Sequence, residues 1–273
     1  MFFPATIGGK IFKCYLKMFS HPSKVRIQNL IGKYFFPKGI LLKNEEGLYF
    51  FPDANDWITR TMLMEGNYES GSTGLAKTIL KNGGLFIDVG ANFGLFTAIA
   101  AFKNKGLQVL AVEPNYKILP RLLHHMKLNG LETNVQVINA AVSKKLQLVT
   151  MEQPAADNLG TTVTKAGGAG LLKVLSCPLD FICSLHGKEP VTLLKIDIEG
   201  NEFDILEDFP FEQYIIKNVI LEFNYLSAVS FDTLRLFFQQ RGFDCFTITG
   251  EPLLNQTQGI IENNIWFVNR LHA

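Results

Sequence analysis

The stretch Leu85-Phe86-Ile87-Asp88-Val89-Gly90-Ala91-Asn92-Phe93-Gly94 reads as a buried strand that runs into a tight glycine turn. Leu85 to Val89 is apolar except for Asp88, a pattern that suits a strand covered on both faces. Gly90 lets the chain turn sharply without a side-chain clash, and Gly94 lets the next helix come close to the sheet or to a ligand. Two more apolar runs end in acid at matching places: Val109-Leu110-Ala111-Val112-Glu113-Pro114 and Leu193-Leu194-Lys195-Ile196-Asp197-Ile198-Glu199-Gly200. Open parallel sheets bind ligands at the carboxyl ends of their strands, so Asp88, Glu113 and Asp197 mark a candidate site.

Outward from that stretch, short apolar runs take turns with longer helical patterns. Strands are expected at 85–89, 107–112, 134–138, 191–196 and 218–223, and helices near 94–103, 117–128, 201–208 and 231–240. Crossovers of this length imply an α/β fold, a mostly parallel open sheet with helices on both faces. Phe243 to Ile248 and Ile265 to Val268 add an antiparallel closing pair, which brings the sheet to seven strands. Residues 139–190 break the rhythm and read as strand, exposed loop, strand, with the loop at 155–170 free to cover a site.

Ahead of the sheet, Ile40-Leu41-Leu42 and Leu48-Tyr49-Phe50-Phe51 flank the polar Lys43-Asn44-Glu45-Glu46-Gly47, the pattern of a hairpin. Residues 1–39 are expected to be helical in part, limited by Pro22 and Pro37, and another helix is expected from Ser72 to Leu80. The chain thus divides into a basic, aromatic N-terminal extension with a hairpin at 1–62 and an α/β domain at 63–273.

At 273 residues and 47% hydrophobic the chain can bury a substantial core, and a formal net charge of +1 gives no global reason to expect a nucleic-acid partner. The start is different: Lys10, Lys13, Lys17, Lys24, Arg26, Lys33, Lys38 and Lys43 have no acidic companion and are interleaved with aromatic residues. One reading is a solvated face packed against its own domain or a second subunit, in a homodimer. The other is peripheral contact with a membrane surface. The apolar stretch after Met1 is too short for a membrane span and lacks the order of a secretory signal. Cys14, Cys177, Cys183 and Cys245 are scattered and expected to be reduced, as in a cytoplasmic protein.

A dinucleotide fingerprint would show Gly-x-Gly-x-x-Gly, resting a pyrophosphate on a helix N-terminus. Here position 92 is Asn, which disfavours close phosphate approach. Glu113 lies about twenty residues beyond the glycine turn, where an acid can accept both ribose hydroxyls. Asp88 would repel a phosphate but can hold an ammonium group, directly or through water. The spacing of Glu113 alone does not separate a nicotinamide cofactor from S-adenosylmethionine; Asp88 favours the latter. Strand-end acids also cap turns with no ligand involved.

Taken together and in this order, Gly66-Asn67-Tyr68-Glu69, Phe86 to Gly94, Val112-Glu113-Pro114-Asn115, Leu194 to Glu202 and Ile220-Leu221-Glu222-Phe223 resemble the FkbM-like family of S-adenosylmethionine-dependent methyltransferases, in the Rossmann-like class. The likeness spans residues 62–268. It implies that Asp88, Gly90, Asn92 and Gly94 form the methionine side of the cofactor pocket, that Glu113 binds the ribose, and that Asn115 sits beside the adenosine. It also implies that Asn139-Ala140-Ala141-Val142 lines the adenine and that Tyr68 and Glu69 close over the cofactor. The implied activity is O-methylation of a hydroxyl on a small molecule or glycan.

Methyl transfer to a hydroxyl needs in-line positioning and a group that takes the hydroxyl proton. Asp197 is the first candidate for that base, with Glu199 second or orienting the hydroxyl. Glu199 and Glu202 also suit the positive end of a helix beginning near Asn201, whose side chain would cap it while Lys195 neutralises one of the acids. Asp197, Glu199 and Glu222 offer hard oxygen ligands to a divalent cation, a minor alternative; no metal is expected. His124 and His125 fall on a predicted surface helix and are expected to face solvent, as is His186 in a polar turn. The rival readings are a nicotinamide-dependent oxidoreductase and a non-catalytic domain recruited to membranes or partners by its N-terminal segment.

Overall fold

In the computed structural model, which describes residues 1–18, 24–152, 163–166, 172–198, 200–223, 227, 229–254 and 263–272, the chain opens with a small sheet and four helices. These are β1 (Phe2–Pro4), α1 (Ile7–Met18), α2 (Lys24–Phe35), β2 (Leu42–Asn44), β3 (Tyr49–Phe50), α3 (Trp57–Glu65) and α4 (Ser70–Ile79). The expected hairpin is β2–β3, paired antiparallel with Leu42 opposite Phe50. Asn44 shapes its turn, its Oδ1 accepting from the N–H groups of Glu46 and Leu48. β1 joins β2 as a third strand that no sequence pattern announced.

The alternating region follows as β4 (Gly84–Val89), α5 (Leu95–Ala101), β5 (Leu107–Val112), α6 (Leu119–Leu128) and β6 (Val135–Ile138). After an interruption it resumes as α7 (Leu179–Ser184), β11 (Val191–Ile196), α8 (Glu202–Glu207), β12 (Asn218–Glu222), α9 (Phe231–Gln240), β13 (Phe243–Thr247) and β14 (Asn264–Asn269). The strand order is β13-β14-β12-β11-β4-β5-β6, with β14 antiparallel to both neighbours and the other pairs parallel. This is the mostly parallel seven-stranded sheet that the run of apolar strands predicts, with the Rossmann-like fold that the family resemblance implies. Its chain order reverses direction between β4 and β11, two interior strands of the sheet.

Four further strands, β7 (Ala141–Val142), β8 (Gln147–Glu152), β9 (Val163–Ala166) and β10 (Lys173–Cys177), form a separate sheet ordered β7-β10-β8-β9. The expected strands near 147 and 172 are β8 and β10, paired antiparallel. Most of the loop at 155–170 lies outside the described residues; only β9 of it is described.

Alternation along the central strands separates two cores. Leu85, Ile87 and Val89 face a core completed by Leu194, Leu221 and Phe238, whereas Phe86 faces one shared with Phe12, Leu16, Leu42 and Phe50. The N-terminal helices and hairpin therefore bury apolar surface against the same face of the sheet that carries Asp88. Each such side chain contributes about 1.5–3 kcal/mol when fully buried. No helix among the described residues is long and apolar enough to cross a membrane.

One expectation fails here. His124 is exposed, but His125 is wholly buried. Its Nδ1 lies 2.7 Å from the carbonyl oxygen of Phe93, and its Nε2 accepts from the N–H of Phe51 at 2.8 Å. The ring packs edge-on against Phe50 and Phe93. A helix taken as a surface helix is covered on this side by the hairpin. Asn129, one turn on, continues the join by exchanging hydrogen bonds with the backbone of Tyr49 in both directions.

Candidate active site

At the carboxyl ends of β4, β5 and β11 lies a cavity of ≈ 340 Å³. Small-ligand sites commonly measure about 300–1,000 Å³. Asp88, Glu113 and Asp197 all line it, as do Glu69, Lys195 and Glu222. The three strand-end acids therefore share one cleft.

Register explains the central cluster. Asp88 on β4 stands opposite Lys195 on β11, so their side chains share a sheet face, and Asp197 two residues on returns to that face. Lys195 Nζ donates to Asp197 Oδ2 at 2.9 Å and sits 4.6 Å from the centroid of the Phe96 ring. Burial alone would lower its pKa, but the carboxylates of Asp197, Asp88 and Glu69 raise it, so Lys195 is a permanent cation. Lys195, expected to neutralise Glu199 or Glu202, pairs with Asp197, and Glu199 lies outside the described residues. The spacing of two between Lys195 and Asp197 on a predicted strand was the available signal.

Asp88 is fully buried. Thr97 on α5 donates to its Oδ2 at 2.6 Å, while Oδ1 has no hydrogen-bond partner among the described residues. Burial raises its pKa, opposed by Lys195 and Thr97. A carboxylate oxygen desolvated in this way at a cavity wall is stabilised by a donor from a ligand.

Glu113 ties two turns together: Oε2 accepts from the N–H of Asn92 at 2.8 Å and Oε1 from that of Asn115 at 2.7 Å. Each oxygen keeps a second lone pair for a ligand hydroxyl. Burial outweighs those two donors and pushes its carboxyl up to about 7. Asn139 Nδ2 fixes the same turn by donating to the carbonyl oxygens of Glu113 and Pro114, which brings Ala140 and Ala141 onto the cavity wall.

The glycines serve the fold more directly than the cavity. Gly90 has φ +81°, and a Cβ there would lie 1.8 Å from the carbonyl oxygen of Asp197. At Gly94 a Cβ would strike Leu122 of α6 at 2.4 Å. Gly94 and Asn115 lie outside the cavity lining, whereas Gly90 and Asn92 are in it. Asn92 itself adopts φ +52°, a conformation Asn tolerates, and its Oδ1 accepts from the N–H of Phe93.

On the opposite rim, Glu69 holds a left-handed backbone (φ 45°) at the start of α4 and accepts from Asn264 Nδ2 at 3.3 Å. Tyr68, half-buried, has its phenol pKa raised by burial and by Glu69, so it stays a hydrogen-bond donor. Trp57 meets it edge-on at 5.8 Å, and both line the cavity. Trp57 was not singled out from sequence, since nothing near it carries a motif.

Glu202 is buried, with Oε1 accepting from the N–H groups of Ile198 and Gly200. It holds the loop after β11 in shape. Asn201 makes no side-chain cap, contrary to expectation; its backbone (φ −103°, ψ 14°) is not in the extended region from which an N-cap side chain reaches the first-turn N–H groups. Glu199 lies outside the described residues.

The family profile described as the methyltransferase FkbM domain matches residues 88–245, from Asp88 into β13. The chain belongs to this family. FkbM-domain membership makes S-adenosylmethionine the cofactor and displaces the nicotinamide alternative. Similar solved structures include TrmK of M. capricolum in complex with S-adenosyl-homocysteine, at 16% identity, covering 72% of this chain and 65% of that one, with a TM-score of 0.43. Another is the methyltransferase FkbM from Methylobacillus flagellatus KT, at 14% identity, with 77% and 52% coverage and a TM-score of 0.44. This chain thus spans less than two thirds of either protein's length. The likenesses are too distant to assign an acceptor or a role to any residue. No curated protein matches the sequence.

The cavity passes a physical test for S-adenosylmethionine. Asp88 Oδ1 offers an unsatisfied acceptor suited to an ammonium group, and Glu113 offers free lone pairs suited to ribose hydroxyls. Ala140 supplies an apolar wall beside them.

Proposed function

We propose that this FkbM-domain protein methylates a hydroxyl of a small molecule or glycan. The observation that carries the reading is the shared cleft lined by Asp88, Glu113, the Lys195–Asp197 pair, Glu69 and Tyr68. S-adenosylmethionine supplies an activated methyl group, which lowers the demand for chemical catalysis by the protein. Asp88 and Asn92 hold the methionine end, Glu113 the ribose, and Ala140 the adenine.

Lys195 fixes Asp197 by one oxygen, Oδ2. Its other oxygen is left to accept the acceptor's hydroxyl proton as the new carbon–oxygen bond forms and the carbon–sulfur bond breaks. Base catalysis of this kind contributes typically about 10²–10⁴-fold. Glu222, also on the cavity wall, is the group assigned to orient the hydroxyl.

The test has two arms. Isothermal calorimetry should show S-adenosylmethionine binding to the intact chain, and an acceptor screen with labelled methyl donor should find turnover above an acceptor-free control. Asp197→Asn should then cut kcat by at least about 100-fold while leaving cofactor affinity within a few-fold. Full turnover in that variant would remove Asp197 as the base. A folded sample that binds no S-adenosylmethionine would remove the whole reading.

A further inference from the structure

The two N-terminal helices carry apolar residues on outward faces as well as inward ones. In α1, Phe12 and Leu16 are buried in the core, and by helical spacing Ile7 and Ile11 fall on the opposite side, where they are 79% and 65% exposed. In α2, Ile27, Leu30 and Tyr34, spaced three and four apart, form a second exposed stripe, and Phe35 beside it is 77% exposed. Basic side chains border both stripes: exposed Lys10 and Lys17 on α1, exposed Arg26 and Lys33 on α2. No Asp or Glu occurs between Met1 and Asn44.

A helix on a protein surface needs one apolar face, turned to the core. A second apolar face, turned outward on two successive helices, marks a surface that something covers. Charge decides what that is. A second copy of this chain would bring two wholly basic faces together. A nucleic acid would meet the lysines and leave the isoleucines in water. An anionic bilayer meets both needs, with its headgroups against Lys and Arg and its acyl boundary against Ile, Leu, Tyr and Phe. We propose that α1 and α2 dock this protein on the surface of an anionic lipid membrane, lying in the interface without crossing it. The proposal stands on the helices alone and is independent of the reaction assigned to the cavity.

Co-sedimentation with vesicles tests it, using the intact chain and two vesicle types, phosphatidylcholine alone and phosphatidylcholine mixed with phosphatidylserine. Binding is expected to the mixed vesicles and to weaken as salt is raised. Each basic residue near an anionic surface contributes about fivefold to partitioning, so Lys10→Gln with Lys17→Gln should weaken binding about 25-fold. Ile7→Ser with Ile11→Ser should weaken it at least about tenfold, since both apolar contacts with the acyl boundary are lost. All four positions are exposed, so the melting temperature should hold, and a variant that keeps it while losing the vesicles supports the proposal. Failure to sediment with mixed vesicles, equal binding to neutral ones, or unchanged binding by the isoleucine variant would overturn it. So would sedimentation equilibrium showing a dimer that the isoleucine variant abolishes, because a second copy would then cover the face.

Discussion

His125 gives the sharpest quantitative handle on this fold. Phe93 offers only a carbonyl oxygen to Nδ1, so Nδ1 carries the proton, and Nε2 must be bare to accept from Phe51. A second proton on Nε2 would face the Phe51 N–H, donor against donor. Burial, the larger cause, together with the nearby Arg121 and His124, lowers its pKa from 6.5 to about 4 and leaves the ring neutral. A folded value below the unfolded one means that stability is present in full above pH 6.5 and is lost as pH falls toward 4. At pH of about 4.5 the loss is about 2.5 kcal/mol, from 1.36 kcal/mol per unit over about two units. His125→Leu removes this titration and leaves the Phe93 carbonyl and the Phe51 N–H unpaired, at a cost of about 2–5 kcal/mol near neutral pH. Guanidinium unfolding of both proteins should therefore show a stability gap that shrinks by about 2.5 kcal/mol between pH of about 7.5 and 4.5. Other titrating groups cancel in the comparison. A gap independent of pH, or a His125 imidazole titrating near its ordinary value by NMR, would refute the reasoning.

Three other outcomes follow from the cavity. Asp88→Asn should weaken S-adenosylmethionine binding by about 10–100-fold, since a charged acceptor is lost. The same variant should melt no lower than the parent without ligand in differential scanning calorimetry, because a desolvated charge is removed; a much lower melting point would mean that Asp88 is structural. Glu113 should make cofactor affinity fall as pH drops through about 7, where it gains a proton, and calorimetry that finds affinity flat across that window would count against a ribose role. The sign for stability is the reverse of that for His125. The folded value exceeds the unfolded 4.5, so the unliganded protein gains from Glu113 as pH falls from about 7 toward 4.5. Gly90→Ala should cost more than about 3 kcal/mol in urea unfolding, given its φ and the 1.8 Å approach to the Asp197 carbonyl. Gly130→Ala, also at positive φ but with nothing within 4 Å, should cost about 1 kcal/mol by comparison.

The central sheet was legible because its strands are nearly unbroken apolar runs closed by turn residues. The run at 191–196 coincides with β11, and the pattern at 231–240 with α9. Asp88, Glu113 and Asp197 were legible as neighbours because strand-end position in a parallel sheet translates directly into shared space. Pairing between distant segments was not legible. β1 is three residues long and gains its place from distant segments, by pairing with β2 some forty residues on and by Phe2, which packs on Phe50 and donates its N–H to the carbonyl oxygen of Gly66. His125 carries no sign in the helix pattern that a hairpin seventy-four residues earlier in sequence would cover it. Lys195 looked like a helix-end counter-ion until register put it opposite Asp88.

The clasp between Phe51, His125 and Phe93 has a further meaning for how the molecule fails. Phe93 belongs to the same turn whose Asn92 N–H is anchored by Glu113. Acid or heat that frees the hairpin from α6 also slackens the loop that would grip the methyl donor. Loss of cofactor and loss of the amino-terminal layer should thus arrive together, as one event rather than two.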